Sequence, residues 1–189
     1  YLRVIRERLP ADGFFVEEVS QVGFASYFCF PVYTPRNFVT CGYQGTLGFG
    51  FPTALGVKLA NPERAVVSIT GDGGFLFGMQ ELATAVQYSI NLVTIVFNNH
   101  SYANIRRDQQ RFYQGRLMGA DLVNPDFVAL AQAFGMDGYR VASPEALGPC
   151  LEMALAKDAP ALIEVEITKD SEASPWQYLM PGTAYGSAV

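Results

Sequence analysis

Apolar residues recur at two spacings along this chain, and the alternation between the two marks out its elements. Leu2, Ile5 and Leu9 fall three to four positions apart, which predicts an amphipathic helix ended by Pro10. FFVEEV (14–19) predicts a short strand, VGFASYFCF (22–30) a helix stopped by Pro31, and NFVTC (37–41) a second strand. The run GYQGTLGFGFPTALGVKLA (42–60) begins Gly-rich, turns helical after Pro52 and closes at Asn61-Pro62. AVVSIT (65–70) and NLVTIVF (91–97) are apolar strands of the kind buried on both faces of a sheet, and FLFGMQELATAVQYSI (75–90) between them has helical spacing. NPDFVALAQAFG (124–135) predicts a helix with Asn124 or Asp126 near its N-cap and Gly135 at its C-cap. SPEALGPCLEMALA (143–156) predicts another, with Ser143 as N-cap and Pro144 at its first position. GYRVA (138–142) and ALIEVEI (161–167) are strands, and the Pro-, Gly- and Ser-containing tail 171–189 predicts an extended arm.

Strand and helix in alternation imply an α/β fold, a three-layer sandwich around a central, mostly parallel sheet. Right-handed crossovers then place the loops that follow the strands at one edge of the sheet, where ligands bind. Residues 1–170 contain no internal repeat and no linker, so they read as one domain, with 171–189 as an arm.

Composition narrows the setting. Half of the 189 residues are apolar, but only 16% are charged, against about 25% in an average protein. A chain so poor in charge is expected to bury part of its surface against a partner. The net charge of −5 excludes a nucleic-acid face and an anionic-membrane surface, and no run of about 18 apolar residues predicts a membrane span. Three cysteines without a CxxC pair suit a reduced, cytoplasmic protein. The chain opens on YLRVIRERLP, without an initiator Met or a signal pattern, and is expected to be one domain of a longer protein.

The chemistry concentrates at Asp72 and Asn99. Each stands just past the end of a buried strand, with one predicted helix between them, so both belong to the same sheet edge. A helix of about 16 residues spans roughly 24 Å, enough to return the chain to its starting edge. A carboxylate and an amide oxygen are hard ligands suited to Mg²⁺, whose octahedral shell is commonly shared with phosphate oxygens. Gly71, Gly73 and Gly74 leave backbone N–H groups unobstructed at the start of the following helix, where a diphosphate is stabilised. Each half alone reads as a tight turn; the two together, 27 positions apart, are far more specific.

GDGGF (71–75) followed by NN (98–99) resembles the thiamine-diphosphate motif. GTLGFGFPTALGVKLANPERAVVSITGDGGF (45–75) and LVNPDFVALAQAFG (122–135) extend the likeness to the C-terminal, diphosphate-binding domain of acetolactate synthases and related 2-oxo acid decarboxylases such as benzoylformate decarboxylase. The resemblance covers roughly residues 37–170 and implies the thiamine-diphosphate-binding fold. It implies Mg²⁺ bound by the side chains of Asp72 and Asn99 and the backbone carbonyl of Ser101, with the diphosphate held by the amides of Gly73 and Gly74. It also implies a cofactor contact from the Gly45 carbonyl in GTL (45–47), with Thr46 beside it, and Leu47 as the apolar wedge that bends the cofactor. Tyr102, Ala103 and Asn104 would complete the cofactor side.

The same resemblance implies decarboxylation of a 2-oxo acid, with or without carboligation. The activating Glu would lie in an N-terminal pyrimidine-binding domain, usually of a second subunit in a homodimer or homotetramer. The full-length enzyme would also carry a middle domain and a possible FAD. This chain alone would bind half a cofactor site and catalyse nothing. Two departures stand out. Where acetolactate synthases carry Gly-Met and Gln-Trp pairs, this chain has Ala103, Asn104 and Arg107-Asp108. Near 22–27, Gly23 and Phe24 stand in place of a Gln-His pair that grips the diphosphate. His100 invites a general-base role and Arg106 and Arg107 a substrate carboxylate, although a varied loop position and a solvated helix face describe them better. The alternatives are a non-catalytic assembly module that keeps the fold and, less favoured, an NAD or flavin oxidoreductase suggested by GFGFPTALG (48–56), which no acidic strand end follows.

Overall fold

The computed structural model describes residues 1–182. Its centre is a six-stranded sheet, all parallel, in the order β2-β1-β3-β4-β6-β5. The strands are β1 (Phe14–Val16), β2 (Phe38–Val39), β3 (Val66–Gly71), β4 (Val93–Asn98), β5 (Asp137–Val141) and β6 (Ala161–Glu166).

Two-residue alternation along the strands divides the core into two clusters, one on each face. Phe15, Val67, Ile69, Ile95 and Ile163 pack with Ile5 of α1 (Leu2–Arg8) and with Leu147 and Leu151 of α8 (Pro144–Leu155). Phe14, Val16, Val66, Val96 and Leu162 pack on the other face with Phe51 and Leu55 of α3 (Gly50–Ala60) and Phe127 of α7 (Phe127–Ala133). Helices on both faces of one sheet make the three-layer sandwich. The near-continuous burial of β3, β4 and β6 explains their unbroken apolar sequences.

Both predicted N-caps form: Ser143 caps α8 through Ala146 N, and Asp126, not Asn124, caps α7 through Val128 N and Ala129 N. The C-cap of α7 is Phe134, with the predicted Gly135 one position later at φ +84. Ser20, not foreseen, caps α2 (Gln21–Cys29) by accepting from Gly23 N. Two elements differ from expectation. The continuous helix predicted over 75–90 is broken into α4 (Asp72–Phe75), a 3-10 turn (Met79–Glu81) and α5 (Leu82–Gln87). The interruption falls where Phe77 and Gly78 press on the preceding loop. A Cβ on Gly48 would stand 2.8 Å from the Phe77 Cβ, and one on Gly78 would stand 3.2 Å from Pro52 Cδ. Gly78 itself lies outside helical geometry, at φ −122 and ψ 1. The tail is not extended throughout: it contains one helical turn, α9 (Trp176–Leu179), and the rest of the predicted arm beyond residue 182 lies outside the described residues. No helix among the described residues is long and apolar enough to cross a membrane.

Connectivity sets where a ligand can enter. From β1 the chain crosses through α2 to β2 at the edge, then returns through α3 to β3 on the other side of β1. The segment after β1 therefore leaves on one face of the sheet, and the segment after β3 leaves on the opposite face. Their divergence opens a crevice at the strand C-termini, the topological switch point of such sheets. Ile95 of β4, fully buried in the first cluster, reports on this frame. Ile95→Ala is expected to cost about 2–5 kcal/mol of unfolding free energy, measured by urea denaturation.

Candidate functional site

The register between β3 and β4 pairs Gly71 with Phe97, so the next residues, Asp72 and Asn98, emerge side by side and Asn99 follows at the same edge. Asn98 and Asn99, adjacent in sequence, point in different directions. Asn98 turns inward: its Nδ2 donates to Glu164 Oε1 at 2.7 Å, and its Oδ1 accepts from Asn124 Nδ2 at 2.8 Å and from His100 N at 3.2 Å. Asn99 turns toward the crevice, and its Oδ1 accepts from both Ser101 N and Ser101 Oγ at 3.0 Å. Ser101 N also donates to Asp72 Oδ2 at 3.2 Å, so oxygens of Asp72 and Asn99 converge on one amide.

Asp72 is 2% exposed, and burial pushes its carboxyl up from the ordinary range, against hydrogen bonds from Asn124, Gly73 and Ser101 that favour the anion. Asn124 Nδ2 donates to Asp72 Oδ2 at 2.7 Å. A polar chain thus runs from Glu164 through Asn98 and Asn124 to Asp72, and it fixes the carboxylate's orientation from behind.

The crevice holds a cavity of about 220 Å³ lined by Val19–Val22 on one side and Gly71–Gly74 on the other, with Leu47, Asn99, Ser101–Ile105 and Glu172. Its glycines are required by crowding. A Cβ on Gly73 would stand 2.4 Å from the Tyr102 ring, and a Cβ on Gly74 would stand 2.4 Å from Glu18 Oε1. Gly73 and Gly74 therefore leave the backbone without side chains there, with the oxygens of Asp72 and Asn99 beside it. This donor set fits a divalent cation shared with a diphosphate, and its oxygens suit Mg²⁺ better than a softer metal. No cluster of three His, Cys, Asp or Glu side chains stands ready to hold a metal among the described residues, which leaves amide, carbonyl and phosphate oxygens to complete any shell around Asp72.

The sequence-predicted residues divide accordingly. Leu47, Gly71, Asp72, Gly73, Gly74, Asn99, Ser101, Tyr102, Ala103 and Asn104 all line one cavity. Gly45 and Thr46 do not; they lie in the exposed part of the loop before α3, with Gly45 at φ +58. His100 is exposed and also absent from the lining. Arg106 is taken up by Asp170 and Asp121. Gly23 and Phe24 stand at the departure near 22–27, while just before it Ser20 and Gln21 line the cavity, and Gln21 Oε1 accepts from Arg107 Nη1 at 2.6 Å. Sequence reasoning missed Gln21, Asn124 and Glu172. Asn124 was legible only as a cap candidate, and Glu172 has no local signal, standing 73 positions from the asparagine it touches.

A cavity lined by buried Asp72 and Asn99 and by glycine backbone, at the switch point of an all-parallel sheet, defines this as an α/β domain with its crevice at the strand C-termini. The chain belongs to the thiamine pyrophosphate enzymes: the family model described as the C-terminal TPP binding domain of thiamine pyrophosphate enzymes matches residues 18–165. It is 38% identical over 156 residues to a probable acetolactate synthase large subunit of Methanococcus aeolicus, covering 82% of this chain and 26% of that one. It is 34% identical over 184 residues to the acetolactate synthase isozyme 2 large subunit of Escherichia coli K12, covering 97% of this chain and 33% of that one. A solved thiamine diphosphate-dependent 4-hydroxybenzoylformate decarboxylase from Rhodococcus jostii RHA1 superposes with a TM-score of 0.82 at 33% identity, over 90% of this chain and 32% of the other. The chain thus spans about a quarter to a third of the length of these relatives.

One buried carboxylate holds the rim together. Glu18, fully buried, accepts from Gly48 N at 2.6 Å through Oε1 and from Gly50 N at 3.0 Å through Oε2. Burial raises its carboxyl above the ordinary range, with Gly48, Gly50 and Thr70 opposing. Between the unfolded and the raised folded pKa the native state holds more protons, so this group's contribution to stability falls as pH rises through that window. Glu18→Ala is expected to remove that pH dependence and to leave two buried amides unpaired, at about 1–3 kcal/mol each. Urea denaturation across a pH series measures both.

Proposed function

We propose that this chain is the diphosphate- and Mg²⁺-binding domain of a thiamine-diphosphate-dependent enzyme that decarboxylates a 2-oxo acid, with or without carboligation. The observation that carries the reading is the convergence of Asp72 and Asn99 on the Ser101 amide, beside a stretch of backbone that cannot carry side chains. In this reading Asp72 and Asn99 hold the cation with the Ser101 carbonyl. The amides of Gly73 and Gly74 hold the diphosphate, and Ser20 and Gln21 border it from the other wall. Leu47, a branched apolar side chain on the cavity wall, sets the cofactor's bend by contact. Gly45 and Thr46 would meet the cofactor only on the exposed side of the loop, where a second domain has to close over them.

When bound, thiamine diphosphate supplies a nucleophilic carbon and an electron sink for cleaving the bond between the 2-oxo carbon and the carboxylate. The described residues supply binding, orientation and shielding, and the group that activates the cofactor is assigned to an N-terminal domain of a longer protein, presented by a second subunit. A cavity of about 220 Å³ is below the roughly 300–1,000 Å³ usual for a complete small-molecule site, which supports a pocket closed by another domain. FAD belongs to the proposal only as a cofactor of the full-length protein, read from its visible absorbance.

The test is calorimetric titration of the full-length protein with thiamine diphosphate, with and without Mg²⁺, against NAD as control. Mg²⁺-dependent binding of thiamine diphosphate alone is expected. Asp72→Ala is expected to abolish it while leaving the far-ultraviolet circular dichroism unchanged. Equal binding without Mg²⁺, or binding of NAD instead, refutes the proposal. CO₂ release from pyruvate, benzoylformate or glyoxylate separates an enzyme from a domain that only binds.

A further inference from the structure

The segment after β6 crosses the mouth of the cavity and is fastened at several points. Asp170 accepts from Arg106 Nε and Nη2 at 2.9 to 3.1 Å, and the Glu172 carbonyl accepts from Arg107 Nη2 at 3.4 Å. Trp176 Nε1 donates to Asn104 Oδ1 at 2.7 Å, and its ring lies 4.9 Å from that of Phe24. These contacts deliver the Glu172 carboxylate to the cavity wall, where Oε1 accepts from Asn99 Nδ2.

A primary amide is nearly symmetric in shape but not in charge. If Asn99 is to ligate a cation, its oxygen must face the cation, and a flipped side chain would present N–H groups to a positive ion instead. The oxygen end is oriented by Ser101 N and Oγ, but Ser101 N is shared with Asp72 and the hydroxyl can rotate. The nitrogen end has one acceptor among the described residues, Glu172. A carboxylate accepts and cannot donate, so it admits one amide orientation only.

We propose that Glu172 is a positioning residue for Asn99: the arm carries it to the pocket so that its carboxylate fixes the Asn99 amide with Oδ1 turned to the cation. This rests on the reading of Asn99 as a cation ligand. Outer-shell acceptors of this type hold a ligand's orientation, and their loss typically weakens metal affinity about 10- to 100-fold.

The experiment uses the full-length protein, stripped of metal and held in a fixed excess of free thiamine diphosphate. Calorimetry follows the Mg²⁺ concentration needed to form the complex for the wild type, Glu172→Ala and Glu172→Gln, with a titration of Mg²⁺ into thiamine diphosphate alone subtracted. Glu172→Ala is expected to weaken Mg²⁺ binding by about 10- to 100-fold, with the thermal midpoint of the metal-free protein unchanged. Glu172→Gln, whose amide oxygen still accepts from Asn99, is expected to recover most of the loss. Unaltered Mg²⁺ affinity in Glu172→Ala overturns the inference. Tighter binding overturns it too, and marks the carboxylate as a plug that the cation displaces. Equal weakening in both variants overturns it in favour of a bare charge effect. A wild type that shows no Mg²⁺-dependent binding of thiamine diphosphate removes the proposed function itself, a result distinct from the other three.

Discussion

The carboxylate of Glu18 is the tie on which the sheet's functional edge depends. It sits just beyond β1, has no solvent exposure, and accepts from the backbone of two residues 30 and 32 positions ahead. An ionised carboxylate removed from water is costly unless several donors satisfy it, and amides fixed in a loop serve that need without mobile side chains. The requirement propagates outward. A Cβ on Gly50 would stand 2.7 Å from the Glu18 Cβ, and one on Gly74 would stand 2.4 Å from Oε1. The glycines of the loop before α3 and of the turn after β3 are therefore partly consequences of one buried side chain. The backbone they leave without side chains is what the proposed function assigns to the diphosphate.

From that anchor the site follows by topology. Segments after β1 and β3 part to opposite faces, so the crevice needs no dedicated domain of its own, only short loops with the right chemistry. The break in the 75–90 segment belongs to the same geometry. Packing Phe77 and Gly78 against Gly48 and Pro52 draws the turn after β3 onto the Glu18-anchored loop, and an uninterrupted helix would carry it away. The amides beside the cavity consequently come from a single turn, α4, rather than from the end of a long helix, so any anion proposed there would be held by local N–H groups more than by a summed helix dipole.

Much of this was legible in the sequence because its causes are local. Unbroken apolar runs located β3, β4 and β6, Ser143 and Pro144 located α8, and the pairing of Asp72 with Asn99 located the site. Where causes are long-range the sequence was silent. The pattern of 75–90 has good helical spacing, and only a loop some thirty residues earlier explains its break. Asn124 reads as a cap, since Asn is favoured there and nothing nearby announces Asp72, yet Asp126 caps the helix while Asn124 Nδ2 donates to both Asp72 and Asn98. Sequence reasoning singles out Asn99 from the pair at 98–99, and the structure adds the reason it alone lines the cavity: Asn98 is turned inward by its hydrogen bonds to Glu164 and Asn124. Glu172 lies in a stretch whose composition suggests only an arm.

The low charge content acquires a location as well. Large apolar side chains stand exposed along the loop carrying Gly45 and Thr46, where Tyr43 is fully exposed, and along the segment after α6 (Ala103–Phe112), where Met118 is 83% exposed and Val123 fully so. Isolated exposed apolar residues are ordinary, but several of them on a chain with 16% charged residues and an undersized pocket are less so. A surface of this kind suits a domain whose cofactor is enclosed from two sides. Under the proposed function, such division also accounts for Asp72 and Asn99 being buried while Gly45 and Thr46 stay at the surface. The diphosphate and cation require preorganised charge, which a buried edge supplies, whereas the rest of the cofactor requires an enclosure that a second domain can complete on closing.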